Sequence, residues 1–286
     1  MKTAKKYMFN PGNVSKLSDL PTLDHELAKD PAHNKKLLAK VASEIGELQW
    51  TLYAEKKQSL LVVFQALDAA GKDGVIRHVL DEVSPQGVTT VSFKQPSSNE
   101  KERDFLWRVH LRTPARGEFT IFNRSHYEDV LVARVHELVP KAVWKKRFEL
   151  INQFENLLAQ ECNTRVIKFY LHMSPDVQLA RFKDRLTDES KNWKITEADY
   201  NEREYWDKYI EAFQETLDRT STSHAPWFVV PADDKISRNL LVAQIIRDTL
   251  KDMNPQYPSP AADLNAVRAR YHEAEIKAKA TRQKKA

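Results

Sequence analysis

LLVVFQALDAAGKDGVIRHVL, residues 60–80, joins a short apolar run, a glycine-containing turn and a segment with helical spacing. Five apolar residues in a row, two of them β-branched, suit a strand covered on both faces. The turn approaches the phosphate-binding pattern G-x-x-x-x-G-K-[ST] and departs from it twice: Ala66 stands where the first glycine belongs and Asp73 where the hydroxyl belongs. In a strand–loop–helix unit the backbone N–H groups converge at the helix N-terminus, where the helix dipole also favours negative charge. Gly71 permits close backbone approach and Lys72 adds a point charge, so Ala69, Ala70, Gly71, Lys72, Asp73 and Gly74 form the expected cradle. An acidic turn between strand and helix would be spelled the same way, and the rest of the chain has to decide.

Four further strand candidates follow: VTTVSF at 88–93, IFNRS at 121–125 with its approach EFT, RVIKFYLH at 165–172 and WFVVP at 227–231. Helical stretches at 75–83, 99–111, 128–161 and 174–186 separate them, and Leu37, Leu38, Val41, Ile45, Leu48 and Leu52 space a helix over 34–57. Strands alternating with helices predict an α/β fold, a parallel sheet between two helical layers. More than fifty residues separate the last two strands. That insertion is charged and aromatic, with helix starts at Ser174-Pro175-Asp176 and near Thr196–Asp199, and reads as a lid. The expected organisation is an extended arm over 1–33, an α/β domain over 34–255 with a lid insertion at about 174–220, and a basic helical tail over 256–286.

Of 286 residues, 41% are hydrophobic and 30% charged, and no run reaches the roughly 18 apolar residues of a spanning helix. The N-terminus has lysines but no apolar core, so a cytoplasmic address is expected. A single cysteine, Cys162, excludes an intramolecular disulfide, and no Cys/His set has zinc spacing. A net charge of +5 points to an anionic partner without naming it.

With no hydroxyl after Lys72, Asp68 is the natural replacement as a magnesium ligand, because Mg2+ takes hard oxygen donors, one or two of them carboxylates. Asp73 opens the helix and could equally cap it. The second constellation is IFNRSHYEDV, residues 121–130, at the end of a buried strand. Phosphoryl-transfer folds often place a metal-holding carboxylate there. This chain has Asn123, with Glu128 and Asp129 the nearest acids, and Arg124 offers a planar fork for phosphate oxygens, an ion pair with a surface acid being its ordinary alternative.

LDAAGKDG (67–74), SFKQPSSNEKERDFLWRVH (92–110), GEFTIFNRSHYEDVL (117–131) and RFKDRLTDESKNWKI (181–195) with YWDKYIEAF (205–213) together resemble the family-2 polyphosphate kinases in motif, order and spacing, over roughly residues 35–250. The resemblance implies a thymidylate-kinase-like P-loop fold with a helical lid. It further implies magnesium-dependent transfer, Mn2+ being the alternative ion, of a terminal phosphate between polyphosphate and an adenine nucleotide, with guanine a second base. The family's second strand commonly reads F-D-R-S, so Asn123 is a departure. The N-R-S-H-Y-E-D form looks like the branch that phosphorylates both AMP and ADP, with Glu128 as its distinguishing acid. A dimer or tetramer is implied as well.

On this reading Lys72, Arg124, Arg181 and Arg185 hold the polyphosphate end, and Asp68 with Glu128 positions the metal. Lys94 and Arg108, inside the matched motifs, line the channel, flanked by Arg112 and Arg116. His126 and His172 are the phosphohistidine alternative, against a structural role for each. Trp193 and Tyr200 either stack on a base or pack the lid. Two rivals remain: an ATP-dependent nucleoside monophosphate kinase, which would normally keep G-x-x-x-x-G-K-[ST] intact, and a nucleic-acid binder, for which the chain lacks a signature motif.

Overall fold

Strand β1, Ser59–Gln65, is buried at every position. The computed structural model describes residues 2–12 and 16–283. Parallel pairing extends β1 on both sides into a five-stranded sheet of β2 (Val88–Ser92), β3 (Phe119–Asn123), β4 (Thr164–His172) and β5 (Trp227–Pro231), ordered β2-β3-β1-β4-β5. Helices of seven or more residues are numbered in chain order: α1 Pro31–Glu55, α2 Lys72–Val79, α3 Lys141–Glu161, α4 Pro175–Thr187, α5 Glu197–Arg203, α6 Trp206–Thr220, α7 Lys235–Met253 and α8 Leu264–Gln283.

The continuous apolar character of β1 follows from its two covers. Leu60, Val62 and Phe64 belong to a core with Val41 and Ile45 of α1 and Leu241 and Ile245 of α7. Leu61 and Val63 enter a second core with Phe148 and Ile151 of α3 and Phe213 and Leu217 of α6. The alternation of side chains along a strand thus feeds two faces, and the expected three-layer α/β fold is present.

Several expected boundaries move for local reasons. The first long helix begins at Pro31 rather than 34, because Asp30 caps it by accepting from His33 N at 2.9 Å, and it ends at Glu55, stopped by Lys56, whose φ is +54°. The arm is not simply extended: it holds helical turns at Lys2–Tyr7 and His25–Ala28, and Asp24 ties them by accepting from Lys6 Nζ at 2.8 Å and from the Tyr7 hydroxyl. Phe9 N donates to Trp227 O at 2.8 Å, laying the arm along β5. The expected helix over 128–161 is broken into short turns at His126–Asp129 and Val132–Val135 before α3, since Pro140 disfavours helical backbone just ahead of itself. That over 99–111 is likewise two turns, Ser98–Lys101 and Trp107–His110. The insertion after β4 folds as α4, a 3-10 stretch Glu189–Lys194, α5 and α6. Helix α8 is exposed along nearly all of its described length. The arm residues 1 and 13–15 and the tail residues 284–286 lie outside the described part.

In this strand order the chain reverses its direction of travel across the sheet at β1. The carboxyl ends of β1 and of its neighbour β3 therefore open into a crevice, the position where ligands bind in open α/β sheets. Phe64 pairs with Asn123, and Asn123 with Ser92, so the loops after β1, β3 and β2 leave the sheet side by side.

Candidate active site

The loop after β1 turns through Ala69 (φ +63°) and Gly71 (φ +100°) into α2. No side chain caps α2, so the N–H groups of its first turn remain available to an anion. The loop's carbonyls are anchored instead. Gln178 Nε2 donates to Asp68 O at 3.0 Å, and Arg181 Nη1 donates to Ala69 O at 2.9 Å and Ala70 O at 3.0 Å. Lys72 Nζ donates to Ala66 O at 3.0 Å, and burial, with Arg124 nearby, holds its pKa below the ordinary lysine value.

The loop after β3 meets this cradle. Arg124 has φ +60°, a conformation rare for a residue with a side chain, and it turns the guanidinium towards the carboxylates. Its Nη2 lies 2.9 Å from Asp68 Oδ1 and its Nη1 3.6 Å from Glu128 Oε2. Burial raises the Glu128 pKa, outweighing the opposing pull of Arg124 and Lys72. For Arg124 burial works against the charge, yet Glu128 and Asp68 prevail and its pKa rises. Asn123, where a carboxylate was expected from other phosphoryl-transfer folds, donates from Nδ2 to Asp73 Oδ1 at 2.7 Å. Asp73 is thereby engaged across the cleft and does not cap α2.

Two clefts share this centre. One, of about 570 Å³, lies over the cradle and is rimmed by Lys94, Arg185, Lys191, Lys194 and Lys235. The other, of about 610 Å³, is lined by Glu128, Asp129, Glu202 and the apolar Val132, Leu138 and Tyr209. Asp68, Arg124 and the Phe93–Gln95 segment belong to both, so Asp68 and Arg124 stand at the junction.

Lys94 is exposed at the lip, its carbonyl held at 2.8 Å by the buried Arg108, which also lines the second cleft. Arg185 Nη1 donates to Lys194 O at 2.8 Å and lies 3.6 Å from Asp199 Oδ1. Arg181 lines the cleft over the cradle, and besides the two loop carbonyls it donates from Nη2 to Ala232 O at 2.7 Å and Asp233 O at 3.0 Å, so its fork also braces backbone. Arg112 and Arg116 line neither cleft, and Arg116 reaches Glu161 O before the start of β3, at the far end of the sheet. His126 is fully buried against Glu155, and His172 is 4% exposed, which suits structural roles better than phosphate transfer. Tyr200 packs on Phe182 with ring centroids 5.2 Å apart, while Trp193 projects from the surface, 76% exposed.

Among the described residues no group of three or more His, Cys, Asp or Glu side chains could hold a metal by itself. The donor set still fits Mg2+, which usually takes one or two carboxylates and completes its shell with water and substrate phosphates. Asp68 is partly exposed at the junction with Oδ1 given to Arg124, and Glu128 lies on the far side of the same guanidinium.

Several residues that line or support the candidate site escaped the sequence reading. Lys191 and Lys194 sit inside the 181–195 motif but were not singled out. Behind the second motif lies a buried network: Lys168 Nζ donates to Glu155 Oε2 at 2.6 Å, Tyr127 OH at 2.8 Å and Thr220 O at 2.7 Å, and Tyr127 OH donates to Glu155 Oε1 at 2.8 Å. Burial favours a neutral Glu155, but Lys168 and His126 outweigh it and keep its pKa below the ordinary value. The network pins the His126–Asp129 turn that carries Glu128.

Comparison with known proteins agrees with this geometry. The family model for polyphosphate kinase 2 matches residues 28–258. The AMP/ADP-polyphosphate phosphotransferase of Meiothermus ruber is 49% identical over 223 residues, 78% of this chain and 83% of its own. The ADP-polyphosphate phosphotransferase of Rhodopseudomonas palustris is 42% identical over 266 residues, covering 89% of this chain and 92% of its own. The crystal structure of polyphosphate kinase 2 from Arthrobacter aurescens superposes with a TM-score of 0.90 at 37% identity, covering 95% of this chain and 96% of that one. An anion cradle at the switch point, an arginine shared between two carboxylates and a family match over most of the length lead to one conclusion: this chain belongs to the polyphosphate kinase 2 family.

Proposed function

We propose that the polyphosphate-dependent nucleotide phosphotransfer of this kinase runs as a direct in-line transfer across Asp68 and Arg124, and that both AMP and ADP are acceptors. The meeting of the two clefts at that pair carries the reading. A cation-rimmed cleft over the amides of α2 suits the end of a chain bearing about one charge per phosphate. The neighbouring cleft, part apolar and part carboxylate, suits a nucleotide whose phosphate points to the junction.

In this scheme a nucleotide phosphate oxygen attacks the terminal phosphorus of polyphosphate, the bond to the next phosphate breaks, and the shortened chain leaves. The transition state is loose and its charge spread, so alignment and electrostatic stabilisation supply most of the acceleration. Lys72, Arg124 and the loop amides hold the transferred group, Lys94 and Arg185 guide the chain, and Arg108 and Arg181 brace the walls. Asp68, with Glu128, would hold Mg2+, which supplies charge neutralisation of the phosphates when bound. The 174–220 insertion is the lid over the cradle. No covalent enzyme intermediate is required, as the burial of His126 and His172 supports. Inorganic polyphosphate and adenine nucleotides are the partners, with guanine nucleotides as further acceptors, and the working unit is a homo-oligomer. Among the described residues no helix is long and apolar enough to cross a membrane.

The test is purified protein with Mg2+, long-chain polyphosphate and either AMP or ADP, products separated by chromatography. ADP from AMP and ATP from ADP are expected. Activity with ATP but not polyphosphate as donor would refute the reading, and label retained on a histidine after incubation with labelled polyphosphate alone would refute direct transfer.

A further inference from the structure

Two buried guanidiniums approach the phosphate cradle from behind. Arg238, near the start of α7, is 2% exposed, and Arg181 is 7% exposed. Arg238 Nη1 donates to Ala70 O at 2.7 Å, the same carbonyl that accepts from Arg181 at 3.0 Å. The remaining bonds of Arg238 go to the neutral Asn239 Oδ1, from Nε at 3.1 Å and Nη2 at 2.9 Å. A Cβ added to Gly71 would come within 2.9 Å of Arg238 Cζ, and one added to Gly74 would lie 3.6 Å from Nη2. The guanidinium therefore lies against the two glycines at the start of α2. Among the described residues neither arginine forms an ion pair with a carboxylate.

A buried charge without a counter-charge is costly, and proteins keep one where something repays it. Here Asp234 acts on Arg238 only from a distance and does not outweigh its burial, and a directly placed counter-charge has an evident place on the other side of the glycine-lined loop. We propose that Arg238 is a positioning residue for polyphosphate: its charge, set behind Gly71 and Gly74, balances the phosphate gripped by the loop's amides, and it acts through the loop without touching substrate. The arrangement is asymmetric between the two substrates: Arg238 lines neither cleft, but the two glycines it lies against line the cleft over the cradle and not the carboxylate-rich one. Burial, with the nearby Arg181, brings its pKa down to about 9 against the opposing pull of Asp234. The inference rests on the reading that this cleft takes the polyphosphate end.

R238Q keeps a donor for Ala70 O without the charge, and R238K keeps the charge. In the full-length protein, R238Q should raise the KM for polyphosphate about tenfold with the nucleotide KM unchanged, whereas R238K should stay within about threefold of wild type. The melting temperature of unliganded R238Q should equal or exceed that of wild type, and the rise on adding tripolyphosphate should be smaller. A merely structural arginine would do the opposite: lower the unliganded melting temperature and disturb both substrates in both variants. That pattern, an R238Q that fails to fold, or an unchanged polyphosphate KM would overturn the proposal. Lys72→Ala separates the two levels: if it loses tripolyphosphate binding while R238Q keeps it, only the role of Arg238 falls, and if it binds as wild type does, the cleft assignment falls as well.

Discussion

Arg124 and Asp68 form a 2.9 Å ion pair that links the loop after β1 to the loop after β3, and the same guanidinium reaches Glu128 at 3.6 Å. One planar fork thus spaces two carboxylates at the junction of two clefts. Under the proposed scheme a substrate phosphate would compete for the fork and free the carboxylates for a cation, so the triad would exchange partners on binding.

Arg124→Lys retains the charge and loses the fork. We expect kcat/KM to fall about a hundredfold, from loss of transition-state contacts, with little change in melting temperature because the side chain is partly exposed. Steady-state kinetics beside a thermal melt check this, and an undiminished rate would remove Arg124 from the reaction centre.

Asp68→Asn tests the metal assignment. Turnover should fall at least about a hundredfold, and raising magnesium should recover part of it if the carboxylate contributes affinity. A magnesium titration superimposable on that of wild type would exclude Asp68 as a ligand.

Glu128 carries a pH signature. Its folded-state pKa is raised, so it holds its proton to a higher pH than an ordinary glutamate, and a reaction needing the carboxylate gains rate as pH rises through that raised value. For stability the sign is reversed: stability associated with the neutral form is present below the unfolded pKa and lost as pH rises through the folded one. Glu128→Gln should therefore abolish the acidic limb of the rate profile and at neutral pH be at least as stable as wild type. Glu128→Ala should change the ratio of AMP to ADP turnover more than the total, and equal losses on both acceptors would count against a selective role.

Lys168→Met should destabilise the fold by about 3–5 kcal/mol, because it removes the lysine charge from a buried carboxylate and leaves Glu155 only His126 and the Tyr127 hydroxyl. The double variant Lys168→Met, Glu155→Leu should recover much of that loss. Denaturant midpoints measure both, and a single variant within about 0.5 kcal/mol of wild type would show that the pair is already neutral.

Gly71→Ala places a Cβ at φ +100° and against the Arg238 guanidinium. A cost of about 1–2 kcal/mol from backbone strain is expected, with a larger proportional loss in polyphosphate affinity, read from a melt and from the polyphosphate KM.

Much of this was legible in the letters because it is local. The buried run 60–64, the turn with Gly71 and Lys72 and the strand ending in Asn123-Arg124 each declare themselves within a dozen residues, through periodicity, turn chemistry and motif spacing, and the long insertion does so by its length. Misplaced helix boundaries had equally local causes, the Asp30 cap and Pro140, whose effect on backbone geometry outweighed the apolar periodicity.

The amino-acid order by itself made the alternation of strands and helices of the α/β fold legible, together with the glycine-and-lysine turn after the first strand, since periodicity and turn chemistry are set between near neighbours. Only the tertiary structure decided how the charges are partnered. Arg181 lines the cleft over the cradle while its fork bonds to Ala69, Ala70, Ala232 and Asp233, Lys168 is buried against Glu155, and Arg238 lies behind Gly71 with no carboxylate bonded to it. The physical reason is that Coulomb energy and desolvation depend on distances between elements far apart in the chain, which a residue's own neighbours in sequence do not encode.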